Sequence, residues 1–312
     1  MSLGTAAIVV AGLLATTRVT KTKLSDTKIV FLGAGAAGLG VAELCVAQMM
    51  DEGLTKEQAF ANIFMLNSKG LITKERAKGL TALHQQFAKD LPETPKLLDV
   101  IKMVKPNALM GISTVGGAFT PEIIREMANI NPRPIIFALS NPTSKAECTA
   151  EDAYKHTDGA VLFASGSPFD DVELNGKLFK PGQGNNSYIF PGVALGAILF
   201  KAKHIPPKAF LLAARRVAAT VSEKLLNDYS RLYPGLQDIH ELSVYIALDI
   251  GNHLYENNLA TLHPEPENKE MFIRQQIYNY EYEPSINDVY DWPEKDAHLG
   301  YPVPELPRML DD

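Results

Sequence analysis

Short, continuous runs of apolar residues recur along the first half of the chain, and helical spacing follows each of them. Five runs read as buried strands, at residues 28–32, 62–66, 108–113, 134–139 and 161–164. Continuous apolar runs are typical of strands covered on both faces, and their alternation with helices predicts a parallel sheet. The pattern therefore predicts an α/β fold with a doubly wound parallel sheet.

Helix start signals stand between these predicted strands. Thr55 and Gln58 have the spacing of a capping box, Thr120 precedes Pro121, and Thr149 opens a further segment. We predict helices over 39–51, from Thr55, over 74–89 and 96–104, and after Thr120 and Thr149.

The pattern changes beyond residue 185, where only helical spacing remains. We predict helices at 188–203, 206–229 and 238–257, and an irregular extension rich in Pro, Tyr and charge from His263 onward. The predicted domains are 1–185, which holds the sheet, 186–257, which is helical, and 258–312, which is the C-terminal extension.

The apolar segment at residues 4–15 has two interpretations. It resembles the apolar core of a signal peptide, but it is too short to span a bilayer and no Lys or Arg precedes it. We therefore favour a buried helix. Because the sequence begins inside an apolar pattern, we expect it to be a shortened form of a longer protein, whether natural or engineered.

Composition narrows the possible partners. The net charge is −6, with 46% hydrophobic and 21% charged residues, and no run of five basic residues occurs. Nucleic acid and anionic membranes are therefore not expected partners. Cys45 and Cys148 form no CxxC pair, which fits a reducing, intracellular compartment better than a disulfide framework.

A glycine pattern follows the first predicted strand directly and opens a helix. Gly33, Gly35 and Gly38 have the spacing of the dinucleotide-binding fingerprint, and Ala36 and Ala37 lie between them. The first glycine permits a tight turn, the second lets a pyrophosphate approach, and the third allows close packing of helix on strand. The alternative is a glycine-rich turn without a ligand, but the strand–turn–helix context favours a dinucleotide.

The tip of the second predicted strand bears on the choice between NAD and NADP. Asn67 stands where an Asp or Glu usually accepts the ribose hydroxyls of NAD, and Ser68 and Lys69 follow it. An amide does not repel a 2′-phosphate and Lys69 attracts one, which slightly favours NADP. The alternative is that Asn67 caps the strand and still binds a ribose, so both cofactors stay open.

Polar residues follow the later strands as well. Ser113 ends the third predicted strand, Asn141 lies in Ser140-Asn141-Pro142-Thr143, and Asn186 ends a cluster that begins at Gly182. The carboxyl ends of strands are where doubly wound sheets hold ligands, although each cluster taken alone is typical of a turn. The scattered histidines show no metal-ligand spacing, and Ser165 and Ser167 do not form a nucleophile elbow.

These motifs together resemble malic enzyme, the decarboxylating malate dehydrogenase, over nearly the whole chain. The segments that carry the likeness are Gly33–Gly38, Ser68–Leu71, Arg133–Thr143, Phe163–Phe169, Pro181–Asn186, Arg231–Pro234 and Tyr290–Pro293.

The resemblance implies oxidation of malate by NAD or NADP and metal-assisted loss of carbon dioxide to give pyruvate. It implies that Asn141 and Asn186 hold malate or pyruvate, and that Gly33, Gly35, Gly38 and Asn67 line the cofactor site. We add Ala36, Ala37, Ser68, Ser113 and Asn141 to the expected cofactor residues.

The family's catalytic Lys and Tyr, its malate-binding Arg and its metal-binding carboxylates precede the stretch represented by this sequence. We therefore expect Mg²⁺ or Mn²⁺ only in a full enzyme, no metal site in this chain, and no turnover by the chain alone. The predicted helix at 188–203 would then lose part of its partner surface, so we expect a homo-oligomer.

Two other interpretations stay open. One is a stand-alone dinucleotide-binding module with a regulatory or interaction role, and the other is a dehydrogenase of the amino-acid or tetrahydrofolate type that shares only the fold. The sequence leaves the choice between a cytoplasmic and a mitochondrial location open, together with allosteric effectors.

Overall fold

The structure, a computed structural model, describes residues 3–278. Over this range nine strands form a seven-stranded sheet in the order β3-β2-β1-β4-β5-β6-β9 and a separate hairpin of β7 and β8. The strands are β1 Ile29–Leu32, β2 Ile63–Asn67, β3 Gly70–Leu71, β4 Ala108–Gly111, β5 Ile135–Ala138, β6 Leu162–Ser165, β7 Val172–Leu174, β8 Lys177–Phe179 and β9 Gly182–Gln183.

Thirteen α-helices accompany these strands in the described range. They are α1 Leu3–Thr20, α2 Ala36–Asp51, α3 Lys56–Ala61, α4 Lys74–Ala77, α5 Ala82–Phe87, α6 Leu97–Val104, α7 Pro121–Ile130, α8 Ala150–Lys155, α9 Phe190–Leu199, α10 Pro207–Thr220, α11 Glu223–Tyr229, α12 Ile239–Glu256 and α13 Lys269–Gln276. All neighbouring strands in the large sheet are parallel except β2 and β3. The predicted doubly wound α/β fold is confirmed.

The register of the parallel strands sorts their side chains onto two buried faces. Val30, Leu109 and Ile136 lie side by side and belong to the core cluster that includes residues of α6, α7 and α8. The next residue of each strand points to the opposite face, where Phe137 lies against Gly12 of α1. Both faces are covered, which explains why these strands carry continuous apolar runs.

The first helix, α1, lies inside the fold. By length and composition it could cross a membrane, but most of it is buried, and it packs on α2 and α10. A side chain at Gly12 would collide with Tyr233, whose hydroxyl donates to the Ile8 carbonyl oxygen at 2.9 Å. The structure therefore agrees with the interpretation of residues 4–15 as a buried helix.

Several predicted boundaries were wrong for identifiable reasons. The helix predicted over 74–89 is two short helices, because Thr81 caps a new helix by accepting from the His84 amide. Ser222 likewise caps α11, which splits the helix predicted over 206–229. The third predicted strand, which is β4 in the structure, ends at Gly111 rather than Ser113. The Ser113 amide donates to the Glu147 carboxylate instead.

The C-terminal region departs from the prediction where it is described. Helix α13 forms within the part expected to be irregular, and Arg274 on it bonds to Glu241 and Glu270. Residues 3–274 belong to one compact unit, and the described residues 275–278 belong to a second. The division at 185 and 257 stays a prediction, and Tyr290–Pro293 lie outside the described residues.

Helix α9 buries only one side. Gly192 and Gly196 approach α12 so closely that a side chain at either would meet Ile246 or Ala247. On the other side Phe190 and Ile198, which lie two turns apart, are 44% and 71% exposed. Exposed apolar faces of this kind on a chain are typical of contact surfaces.

We predict that the 312-residue chain self-associates through this exposed face of α9. Ile198→Glu places a charge in the contact and should weaken association about tenfold or more, measured by analytical ultracentrifugation. Met271→Glu is the matched control, because Met271 is 55% exposed on α13. A monomer at all concentrations, or equal effects of the two substitutions, would contradict the prediction.

Candidate functional site

The loops that follow the parallel strands meet at one edge of the sheet. The chain runs from β1 to β2 on one side and continues through β4, β5 and β6 on the other. The strand order thus reverses at β1, and the loops after β1 and β4 diverge there. Ligands of doubly wound sheets bind in the crevice at such a switch point.

The three glycines of the loop after β1 each meet a different spatial demand. Gly33 has a φ of +119°, and a Cβ there would overlap the carbonyl of Ile112 in the loop after β4. A Cβ at Gly38 would overlap the carbonyl oxygen of Gly33, and its absence lets α2 pack against the end of β1. Both positions are closed to side chains because other backbone already fills the space.

Gly35 differs from the other two glycines. A Cβ at Gly35 meets no heavy atom within 4 Å, and its φ of −76° is one that any residue adopts. Neither packing nor backbone conformation within the described structure requires glycine here. Glycine at this position of a strand–turn–helix unit is the feature that lets a pyrophosphate approach the backbone in dinucleotide-binding folds.

The start of α2 presents backbone amides beside Gly35. Ala36 and Ala37 are exposed, and the amides of a first helical turn have no partner within the helix. The positive end of the helix dipole adds to their attraction for an anion. This helix start is where the sequence analysis expects the pyrophosphate of a dinucleotide, and that role of residues 33–38 stays a prediction.

At the tip of β2, Asn67 has a partner that sequence analysis missed. Its Oδ1 accepts from Arg76 Nη2 at 2.7 Å and from the Lys69 amide at 2.9 Å. Arg76 also donates to the Leu71 carbonyl, so its guanidinium is fixed beside the strand tip, while Ser68 is exposed. Arg76 is therefore a second cation close to Asn67, in addition to Lys69, which the sequence analysis named.

His84 also lies at this site, although the sequence analysis counted it only among the scattered histidines without metal-ligand spacing. Its Nε2 lies 2.8 Å from the Ala34 carbonyl oxygen in the glycine loop, and its Nδ1 lies 2.7 Å from Thr81 Oγ1. The ring therefore joins α5 to the loop between β1 and α2. The break in the predicted helix at Thr81 is what turns His84 toward that loop.

The other wall of the crevice is the loop after β4. Ser113 follows the strand, and its amide would lie 3.1 Å from a Cβ at Gly33. Both the amide and the hydroxyl of Ser113 donate to Glu147 Oε1 at 3.0 Å. The structure thus brings Ser113 next to the glycine loop, as expected, and shows a buried carboxylate behind it that the sequence did not reveal.

Asn141 lies after β5 at the same edge of the sheet. Its Oδ1 accepts from Ser167 Oγ at 2.6 Å, so Nδ2 of the same side-chain amide points away from Ser167. Gly166 lies so close that a Cβ there would be 2.8 Å from Asn141 Nδ2. Ser167 therefore holds Asn141, which is an exposed residue, in one orientation.

Asn186 follows β9, which pairs in parallel with β6. It lies at the same edge as Asn141, with β6 between the two strands that carry them. Its Nδ2 lies 3.5 Å from Thr5 Oγ1 on α1. The two expected substrate residues share an edge, and no contact between their side chains is formed.

Metal-binding side chains do not cluster in residues 3–278. No group of three or more His, Cys, Asp or Glu side chains is placed to hold an ion there. Asp171 forms an ion pair with Lys180, in which Oδ2 and Nζ are 3.9 Å apart. Burial raises the pKa of the Cys45 thiol to about 12 and also raises the pKa of Cys148, so both buried cysteines stay protonated.

Relatives of this chain are malic enzymes. It is 56% identical over 96% of its length to the mitochondrial NAD-dependent malic enzyme of Ascaris suum, covering 46% of that protein. It is 53% identical to the NADP-dependent malic enzyme of Anas platyrhynchos, over 94% of this chain and 52% of that protein. The chain thus spans about half the length of these curated relatives.

Solved structures show the same fold. The malic enzyme of Entamoeba histolytica superposes with a TM-score of 0.68 at 23% identity, over 88% of this chain and 51% of that one. The malic enzyme of Pyrococcus horikoshii gives 0.67 at 23% identity, over 88% and 58%. A family model described as the malic enzyme NAD binding domain matches residues 3–255. Because this match spans most of the chain, the protein belongs to the malic enzyme family through its NAD binding domain.

Proposed function

We propose that this chain binds NAD or NADP in the crevice between the loops after β1 and β4. The observation that carries the proposal is Gly35, a glycine with open space above it and an ordinary φ that precedes α2 at the reversal of strand order. The exposed amides of Ala36 and Ala37 supply donors for the pyrophosphate beside it. Names of the relatives include both NAD-dependent and NADP-dependent enzymes, which supports this ligand class.

The proposal also gives the bound dinucleotide a direction, which is supported by how doubly wound folds hold such ligands. With the pyrophosphate at Gly35, the adenosine ribose reaches the tip of β2, where Asn67 and Arg76 lie. The nicotinamide half then extends over the loops after β4 and β5, which carry Ser113 and Asn141. Asn67, Ser68, Ser113 and Asn141 are therefore assigned to the cofactor site by this proposal.

The reaction of a full-length protein is proposed to be oxidative decarboxylation of malate to pyruvate and carbon dioxide. Bound NAD(P) supplies the hydride acceptor for such an oxidation. Asn141 and Asn186 are proposed to bind the substrate through neutral amides, which orient a carboxylate or hydroxyl without adding charge. Ser167 keeps the Asn141 amide in its orientation by donating to Oδ1.

The described residues do not fit a divalent metal, because no cluster of suitable ligands occurs among residues 3–278. We therefore derive no step through Mg²⁺ or Mn²⁺ for this chain. The half of the relatives' length that this chain does not cover is the proposed source of those ligands and of the proton-transfer groups.

The first test removes the open space over Gly35. Gly35→Val should fold normally, because its Cβ meets nothing, yet its side chain should block the pyrophosphate and weaken NAD binding at least about tenfold. Isothermal titration calorimetry with NAD and NADP measures the affinity, and thermal unfolding checks the fold.

The matched control for that substitution is Gly79→Val, since a Cβ at Gly79 also meets nothing within 4 Å and this residue lies in the turn between α4 and α5, not at the start of α2. It should leave both affinity and stability nearly unchanged. Equal NAD affinity of Gly35→Val and the unsubstituted chain would refute the assignment of the site.

Cofactor preference should depend on the charge at the tip of β2. Asn67→Asp introduces a carboxylate that pairs with Arg76 and repels a 2′-phosphate. We expect the ratio of the NADP to the NAD dissociation constant to rise about tenfold in calorimetric titrations. Asn67→Ser, which stays neutral, should change both constants by similar factors, and an unchanged ratio in Asn67→Asp would contradict the proposal.

Turnover tests the division of function along the relatives' length. The 312-residue chain, given malate, Mn²⁺ and either NAD or NADP, should produce no reduced nicotinamide above background absorbance. The expected reason is that the described residues bring together no metal ligands. Turnover by pure protein that Gly35→Val abolishes would show that this chain contains its own catalytic groups.

A further inference from the structure

Glu147 is a fully buried carboxylate at the edge of the crevice, and it is not among the residues assigned to the cofactor or the substrate. It lies between β5 and α8, is 0% exposed, and forms no ion pair within the described range. Its oxygens instead accept four hydrogen bonds from the loops after β4 and β5. Two come from the amide and hydroxyl of Ser113, and two from the amide and hydroxyl of Ser140.

The fold keeps this carboxylate in place from two further sides. Gly111, the last residue of β4, lies so close that a Cβ there would overlap the Glu147 side chain. The Glu147 carbonyl oxygen accepts from the Phe119 amide at 2.8 Å. The carboxylate therefore lies in a pocket formed by the end of β4, and it has little freedom to move.

A chain of hydrogen bonds extends from Glu147 to an unusual backbone. The Ser140 hydroxyl donates to Glu147 Oε1 at 2.5 Å and accepts from the Thr114 amide at 2.9 Å. Thr114 has a φ of +60°, which costs free energy for a β-branched residue. Such a conformation persists only when its surroundings hold it, and Ser140 supplies a hydrogen bond that does so.

The held segment faces the proposed ligand. Ser113 lies beside the glycine loop, Thr114 is exposed, and Val115 is 58% exposed. The adenosine end of the dinucleotide is assigned to the tip of β2, so residues 113–115 face its nicotinamide half. A carboxylate that fixes this segment controls the shape of one half of the site.

We propose that Glu147 is a positioning residue that holds residues 113–115, through Ser113 and Ser140, in the conformation that receives the nicotinamide half of the dinucleotide. Glu147 does not touch the cofactor itself. This inference rests on the proposed dinucleotide binding. It differs from a purely structural role for a buried carboxylate, which would affect stability without distinguishing the two halves of the ligand.

The test compares NAD with ADP, which shares the adenosine and pyrophosphate groups but lacks the nicotinamide half. In Glu147→Gln, the side-chain oxygen keeps the place of Oε1 and a nitrogen replaces Oε2. The backbone amide of Ser140 then faces a second donor and loses its acceptor. Titration calorimetry on the 312-residue chain should show NAD affinity lowered about tenfold and ADP affinity changed less than about twofold.

Ser140→Ala removes the acceptor of the Thr114 amide and provides a second test if Glu147→Gln fails to fold. It should show the same selective loss of NAD affinity. Because Ser140 and Glu147 act in one chain of bonds, the double variant should lose less than the product of the two single losses.

Asn131→Ala is the stability control. Asn131 is also buried and donates to the Pro106 and Met127 carbonyls, but it lies at the opposite edge of the sheet. It should lower the unfolding temperature without changing NAD affinity. A parallel loss of NAD and ADP affinity in Glu147→Gln, or unchanged NAD affinity in both site variants, overturns the inference.

The outcome for the unsubstituted chain separates this inference from the proposed function. If that chain binds neither NAD nor NADP, the proposed function is wrong and the inference falls with it. If it binds NAD and the Glu147 and Ser140 variants bind NAD equally well, only the positioning role is wrong.

Discussion

Close contact between backbone segments at the carboxyl end of β1 is the constraint on which the rest of this site depends. Gly38 at the start of α2 is so close to the Gly33 carbonyl oxygen that a Cβ would overlap it. A Cβ at Gly33 would likewise overlap the Ile112 carbonyl of the neighbouring loop. A side chain at Gly38 would push α2 away from the end of β1, and one at Gly33 would push the loops after β1 and β4 apart. Since α2 would then no longer present its first amides at the switch point, the crevice exists only because these contacts are made.

Polar links between successive loops then make the edge of the sheet rigid. Glu147 joins the loops after β4 and β5, Ser167 joins those after β5 and β6 by bonding to Asn141, and Gln183 joins β9 to the loop after β6 through the Gly166 carbonyl. Parallel strands are linked only by backbone bonds within the sheet, so their loops need such contacts to keep a fixed spacing. The result is a preformed surface, which lowers the ordering cost of binding a long ligand.

The sequence predicted the parts of this arrangement that local patterns encode. Continuous apolar strands and helix caps were sufficient for the fold, and the spacing of Gly33, Gly35 and Gly38 was sufficient to locate the turn between β1 and α2. The partners of Glu147 were not predictable, because Ser113 is 34 residues away along the chain and only strand order brings them together. Arg76 and His84 were missed for a related reason, since their direction depends on where α4 ends and α5 begins.

The three glycines also show how a structure separates a binding requirement from a folding requirement. A glycine is expected wherever φ is positive or another atom occupies the place of a Cβ, and Gly33 and Gly38 meet those conditions within the chain itself. Gly35 meets neither, because it has an ordinary φ and open space above it. Gly35 lies next to the exposed residues Ala36 and Ala37 at a reversal of strand order, and the proposed function accounts for it by the dinucleotide that would approach from outside. Thr114 gives the complementary case, in which the fold maintains a costly backbone at the crevice instead of avoiding it. Both residues lie at the edge where the proposed cofactor binds, and Thr114 is the one β-branched residue with a positive φ among residues 3–278.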